Sequence, residues 1–252
     1  MNQNYQQQVS EQICKVQTDR KLIALYDRLR YAAFSNYAQL HAKGEYSENG
    51  RKVNSLIGIT IQDYSNETGE QNIITRFNLS PEQIQFFLTR ITAGFQEFEW
   101  NTEKIFGTPD AQGYCTAQKF YISRHAHDRN GQPMKRPWYL QIQNGKGIKV
   151  QNTNGGSYMQ GKSFQIQKNA FIQLLDIELY LLLKRADSYI TNWEASIAPA
   201  LIQNGKQLIC KPAGAKTSAK CLSKRTSTIS STGNPLCCIK IFTAIWTARE
   251  GL

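Results

Sequence analysis

Two histidines stand two residues apart, His125 and His127, with Tyr180 and Lys184 further along the chain. On one strand face such a pair could hold a divalent metal, beside which a helix tyrosine would attack a phosphodiester. The surroundings argue instead for ordinary strand-end histidines. His127 abuts a loop written Asp128-Arg129-Asn130-Gly131, Ala126 is a weak core residue, and Tyr180 falls in the most apolar run of the chain. No G-x-x-x-x-G-K-[ST] phosphate loop, dinucleotide fingerprint or G-x-S-x-G elbow is present. Asp176 and Glu178, two apart on an expected helix, point apart and make no carboxylate dyad. The expectation is a protein with no catalytic residues, no cofactor and no metal.

A second set of residues suits binding. Between 115 and 168 the chain carries nine Lys or Arg against one acid, Asp128. Cations neutralise phosphates and release counterions, tyrosines offer stacking platforms at roughly 1–3 kcal/mol per base, and glutamine amides bond bases or sugars without strict sequence preference. The residues expected to do this are Lys119, Tyr121, His125, Arg129, Lys135, Arg136, Tyr139, Gln141, Lys149 and Gln151. Of these, Arg129, Lys135 and Arg136 would form a phosphate clamp in the loop 128–137. The net charge of +11 is a weaker argument, because residues 204–252 hold eight of the 30 basic side chains and one of the 19 acids. The competing readings are a solvated polar sheet face and a structural or protein-binding module.

The elements that would position these residues follow from periodicity. Alternation places strands near 117–126, 137–143, 147–153 and 157–167, and an apolar helix over 169–193. A three-residue hairpin loop at 144–146 pairs Ile142 with Ile148 and Leu140 with Val150. It sets Tyr139, Gln141, Lys149 and Gln151 side by side on the polar face. The helix is apolar nearly all round, which suggests a homo-oligomer formed through it.

The earlier part reads as an amphipathic helix over 18–32, a strand over 33–46, a turn at Asn49-Gly50, strands over 55–62 and 72–79 joined by a turn at 67–70, and a helix over 80–93. The last carries a capping box in Ser80-Pro81-Glu82-Gln83. Residues 95–114 read as an acidic connection between units 18–94 and 115–194, with 1–17 and 199–252 disordered, the latter a basic tail.

Six cysteines without a C-x-x-C pair imply neither a disulfide framework nor a zinc knuckle, and the start of the chain carries no secretion signal. The apolar run 170–183 is too short and too charged to span a bilayer. The expected home is cytoplasmic. Several strands followed by a helix, twice in one chain, with a basic sheet surface and an apolar terminal helix, resembles the Whirly and Pur-alpha type of single-stranded DNA and RNA binders over about 33–194. The resemblance implies an α+β fold of two repeats, each an antiparallel β-sheet followed by an α-helix. It also implies an oligomeric nucleic-acid-binding protein without catalysis.

Overall fold

Alternating side chains and close-spaced turns make an antiparallel α+β architecture. The computed structural model describes residues 11–33, 39–65, 72–153 and 156–209, with side chains as far as 207. The first sheet has the order β1 (Gln12–Gln17), β2 (Lys21–Arg28), β5 (Leu56–Asp63), β6 (Ile73–Leu79). A hairpin of β3 (Lys43–Glu48) and β4 (Arg51–Asn54) is inserted between its second and third strands. Helix α1 (Pro81–Thr92) follows. The second sheet runs β7 (Glu97–Phe106), β8 (Tyr114–His125), β9 (Trp138–Gln151). Both β10 (Ser157–Met159) and β11 (Gln165–Leu174) pair with the far edge of β9, and α2 (Asp176–Ile209) comes last.

One apolar cluster joins these elements. Ile23, Leu25, Ile57, Ile61 and Phe77 from the first sheet pack with Phe120, Ile122, Leu140, Ile142 and Ile172 from the second. Ile84 and Phe87 of α1 and Leu179, Leu182 and Ile190 of α2 complete it. Asn144 on β9 fastens the sheets together: its side-chain amide accepts from the Arg76 N–H and donates to the Arg76 carbonyl, both at 2.8 Å. The amide thereby stands in for a neighbouring strand at the β6 edge. Arg124 makes the second tie. It grips Asp176 through two bonds of 3.0 and 3.1 Å, while the Trp138 indole N–H donates to the same carboxylate at 2.7 Å. Among the described residues, no helix is long and apolar enough to cross a membrane.

Several expectations match. Ser80 caps α1 reciprocally with Gln83, and Pro81 occupies the first helical position. Asn49 and Gly50 take φ values of 52° and 72° in a two-residue turn, the geometry that joins β3 to β4 with the right strand twist. Strands 55–62 and 72–79 correspond to β5 and β6.

Others are corrected. The stretch 18–32 contains strand β2, not a helix: Ile23 and Leu25 lie in the apolar cluster and the small Ala24 between them is fully buried on the opposite face, so the three together show no alternation. Residues 12–17, expected without order, pair with it as β1. Of the expected strand 33–46, residues 34–38 lie outside the described residues and β3 begins only at Lys43. The acidic stretch 95–114 contains β7, whose glutamates alternate with Phe98, Trp100 and Thr102.

No hairpin exists at 144–146. β9 runs unbroken through it, pairing Phe120 with Ile142 and Cys115 with Gly147. Gly145 and Gly147 are there for close approach: a Cβ on the first would collide with the Gln165 carbonyl, and on the second with Met159 Sδ at 2.6 Å. The segment 165–174 is strand, since Ala170, Ile172 and Leu174 are buried while Phe171 and Gln173 are exposed. The helix therefore starts at Asp176 rather than 169 and continues through Pro199. The turn at 67–70 and the tail from 210 lie outside the described residues.

Candidate nucleic-acid interface

With one face of the second sheet in the core, every other residue of its strands points outward. Register then fixes a grid, because residues directly opposite one another share a face. One row is Glu99, Ser123, Tyr139 and Gln173; the next is Asn101, Tyr121, Gln141 and Phe171; the third is Glu103, Lys119, Gln143 and Asn169. His125 stands opposite Glu97 at the end. The sheet thus carries three aromatic rings among a carpet of carboxamides.

The rings touch. Tyr121 meets Tyr139 edge to face at 6.0 Å, and Tyr139 stacks on Phe171 at 5.4 Å. The Lys21 ammonium, reaching over from β2, sits 3.4 Å from the Phe171 ring centroid. Tyr121 is half-buried and has no ring stacked face to face on it among the described residues. Burial, with a smaller contribution from Tyr121, pushes the Tyr139 phenol above its ordinary pKa, so it stays a neutral hydroxyl at physiological pH. The Gln141 amide donates to Asn169 Oδ1 at 2.9 Å, orienting both amides on the surface.

Charge on this face is lopsided. β7 brings Glu97, Glu99 and Glu103 to its outer edge, where Glu103 pairs with Lys119 at 3.3 Å and Glu97 with His125 Nδ1 at 2.7 Å. The His125 hydrogen bond is the main cause of a Glu97 pKa below the usual carboxylate range. Two of the expected binding residues, Lys119 and His125, are therefore already paired with carboxylates. At the opposite end, Lys135 and Arg136 turn toward the β1–β2 connection, with Arg136 donating to the Gln173 carbonyl at 3.4 Å.

The ten expected binding residues are thus divided. Lys119, Tyr121, His125, Tyr139 and Gln141 share the face; Lys135 and Arg136 border it; Arg129 lies exposed in the loop after β8. That loop is a built turn: Asp128 Oδ1 accepts from the N–H groups of Asn130 and Gln132, and Gly131 adopts φ 75°. Lys149 and Gln151 do not stand beside Tyr139 and Gln141. All four are on one strand, and eight residues at about 3.4 Å each put Lys149 roughly 27 Å from Gln141. Lys149 instead reaches the Gly107 carbonyl at 3.5 Å. His127 bridges to Pro133 in the loop, Tyr180 is half-buried in α2, and Lys184 pairs with Asp187 at 3.0 Å.

Sequence reasoning missed Asn169, Phe171 and Gln173, assigned to a helix, and the three glutamates, assigned to a connection. Period-two burial of Ala170, Ile172 and Leu174 was the available signal for the former, and alternation of acid with aromatic over 97–100 for the latter. The reach of Lys21 from the first sheet left no signal in sequence. No protein-family model matches the chain, and no curated protein or solved structure matches it significantly.

Proposed function

We propose that this protein binds single-stranded DNA or RNA, largely without sequence preference, on the outer face of its second sheet. The observation that carries the reading is the contiguous row Tyr121, Tyr139 and Phe171 on an open sheet surface, surrounded by Gln141, Gln143, Asn169 and Gln173. Touching rings on neighbouring strands stabilise the sheet itself by roughly 0.2–1 kcal/mol per pair, and bases stacked on such rings gain roughly 1–3 kcal/mol each. Carboxamides bond any base edge that is not hidden in a duplex, which favours single strands. A Whirly-like repeat is supported by the order of elements. Four strands of the first sheet precede α1, and four strands of the second, with the short β10 as an addition, precede α2. Self-association through α2 belongs to the same reading and rests on Ile177 and Leu181, one turn apart and 56% and 43% exposed.

Fluorescence anisotropy with a labelled oligothymidylate and a matched duplex tests the function. Tyr121→Ala is expected to weaken single-strand binding by roughly tenfold or more, the equivalent of one lost stack. Equal affinity for duplex and single strand, or no effect of Tyr121→Ala, removes the reading. Sedimentation velocity tests the oligomer, and a monomer at every concentration excludes association through α2.

A further inference from the structure

The outer face ends at a cleft of about 480 Å³ between the β1–β2 turn, the loop after β8, and β11. Arg20, Lys21, Lys135 and Arg136 line it against one carboxylate, Asp19, and Phe171 forms part of its wall. Lys21 is committed, lying 3.0 Å from Asp63 and over the Phe171 ring. Arg20 and Lys135 are exposed and form no salt bridge among the described residues. Four cations from both halves of the chain thus converge where the aromatic row ends.

The other border of the face is the acidic β7 edge. Three strand spacings of about 4.8 Å separate β7 from β11, roughly 14 Å in all. That exceeds the Debye length of about 8 Å at physiological salt, so the two borders act on a ligand separately. A phosphate near β7 meets Glu99, which forms no salt bridge among the described residues, and is repelled; one near the cleft meets Arg20 and Lys135. A chain laid across this face has only one side on which its phosphates are stabilised.

We infer that the cleft is the backbone-binding subsite of the same interface: it holds internal phosphodiesters of the bound strand. The strand runs along the β11 side with its bases pointing back over Tyr139 and Tyr121, and the first half of the chain takes part through Arg20. This rests on the reading above. It adds a path and a second structural contributor to it.

The test is a salt titration of the full chain and of the double variant Arg20→Ala/Lys135→Ala, using a labelled oligothymidylate of about 12 nucleotides. Each phosphate-neutralising cation removed makes the slope of log K against log salt shallower by about 0.7 for single strands, so the double variant loses about 1.4. If both proteins bind alike at 1 M salt, that slope change is a loss of roughly 25-fold at about 0.1 M. Lys52→Ala, a cation on the β3–β4 hairpin away from the face, leaves the slope unchanged, and strands with and without a terminal phosphate respond alike.

An unchanged slope in the double variant overturns the cleft while leaving the stacking face standing. An equal slope change in Lys52→Ala reduces the effect to general charge and overturns it too. A loss confined to strands with a terminal phosphate assigns the cleft to a strand end and overturns the path. Absence of binding by the wild type removes the reading and the cleft together.

Discussion

Replacing Gly145 by alanine tests the strand that organises the interface. A Cβ at this position falls on the Gln165 carbonyl oxygen and lies 3.0 Å from the Gln165 carbonyl carbon and 3.2 Å from Ile166 Cα. All three atoms are β11 backbone, beside the register shift between Ile166 and Lys168. No side-chain rotation relieves the collision, so the start of β11 has to move by about an ångström to restore van der Waals distance. Overpacking of this kind costs about 1–3 kcal/mol, and a distorted ladder hydrogen bond adds about 0.5–1.5. The reduced freedom of the unfolded alanine chain returns about 0.4–1 kcal/mol. The net expectation is a loss of about 2–3 kcal/mol, a drop of roughly 5–10 °C in melting temperature for a domain of this size.

Gly147→Ala is the control. Its Cβ meets Met159 Sδ at 2.6 Å and Ala117 Cβ at 3.4 Å, and a thioether can rotate away, so its cost stays within about 1 kcal/mol. Urea unfolding followed by circular dichroism measures both variants. A Gly147→Ala protein as destabilised as Gly145→Ala refutes the backbone-collision argument. A neutral Gly145→Ala would restore the hairpin at 144–146, in which residue 145 is a free loop position.

Other perturbations address the ties that hold the face in place. Asp176→Asn keeps the shape but loses the ionic grip on Arg124; with the Asp176 side chain 55% exposed, the expected loss at pH 7 is about 1 kcal/mol. The hydrogen bond from Arg124, and after it that from Trp138, holds the Asp176 pKa below its ordinary 3.8. The folded value being the lower one, this stabilisation is complete above the unfolded value and disappears as pH falls through the folded one. Urea midpoints of wild type and variant therefore converge on acidification below pH 3.8, and a gap persisting in acid contradicts the assignment. Asn144→Ala removes two bonds to the Arg76 backbone, costing about 1–2 kcal/mol, and speeds hydrogen exchange at the Arg76 amide; unchanged protection there refutes the strand-mimic role. Lys149→Ala leaves single-strand affinity near wild type, since Lys149 stands at the far end of β9; a loss matching that of Tyr121→Ala would move the interface.

What was legible in the sequence was local. Ser80 and Gln83 announce α1 because a cap is satisfied within four residues, and Asn49-Gly50 announces its hairpin because both residues tolerate positive φ. The alternation Lys119, Tyr121, Ser123 against Phe120 and Ile122 gave β8 and its outward tyrosine, because a half-buried strand records in its own residues which side faces the core. Half of the interface followed from that.

The rest depended on partners distant in the chain. An apolar run such as Ile23-Ala24-Leu25 is compatible with a buried helix or a buried central strand, and only the pairing with β1 and β5 decides which. Gly145 reads as a turn until Gln165 is known to pass beside it, and Phe171 reads as helix core until β11 is paired with β9. Charge is misread for the same reason: Lys119 looks like a free cation and His125 like a free binding side chain in a stretch poor in acid, but strand pairing sets Glu103 and Glu97 against them. The sequence alone determined that one tyrosine-, glutamine- and lysine-bearing sheet face would be left outside the core, since period-two burial is written residue by residue. Tertiary structure decided which of those residues meet, which charges remain unpaired and where the basic cleft lies. Those outcomes are set by pairing between segments far apart in sequence, whose register no single segment encodes.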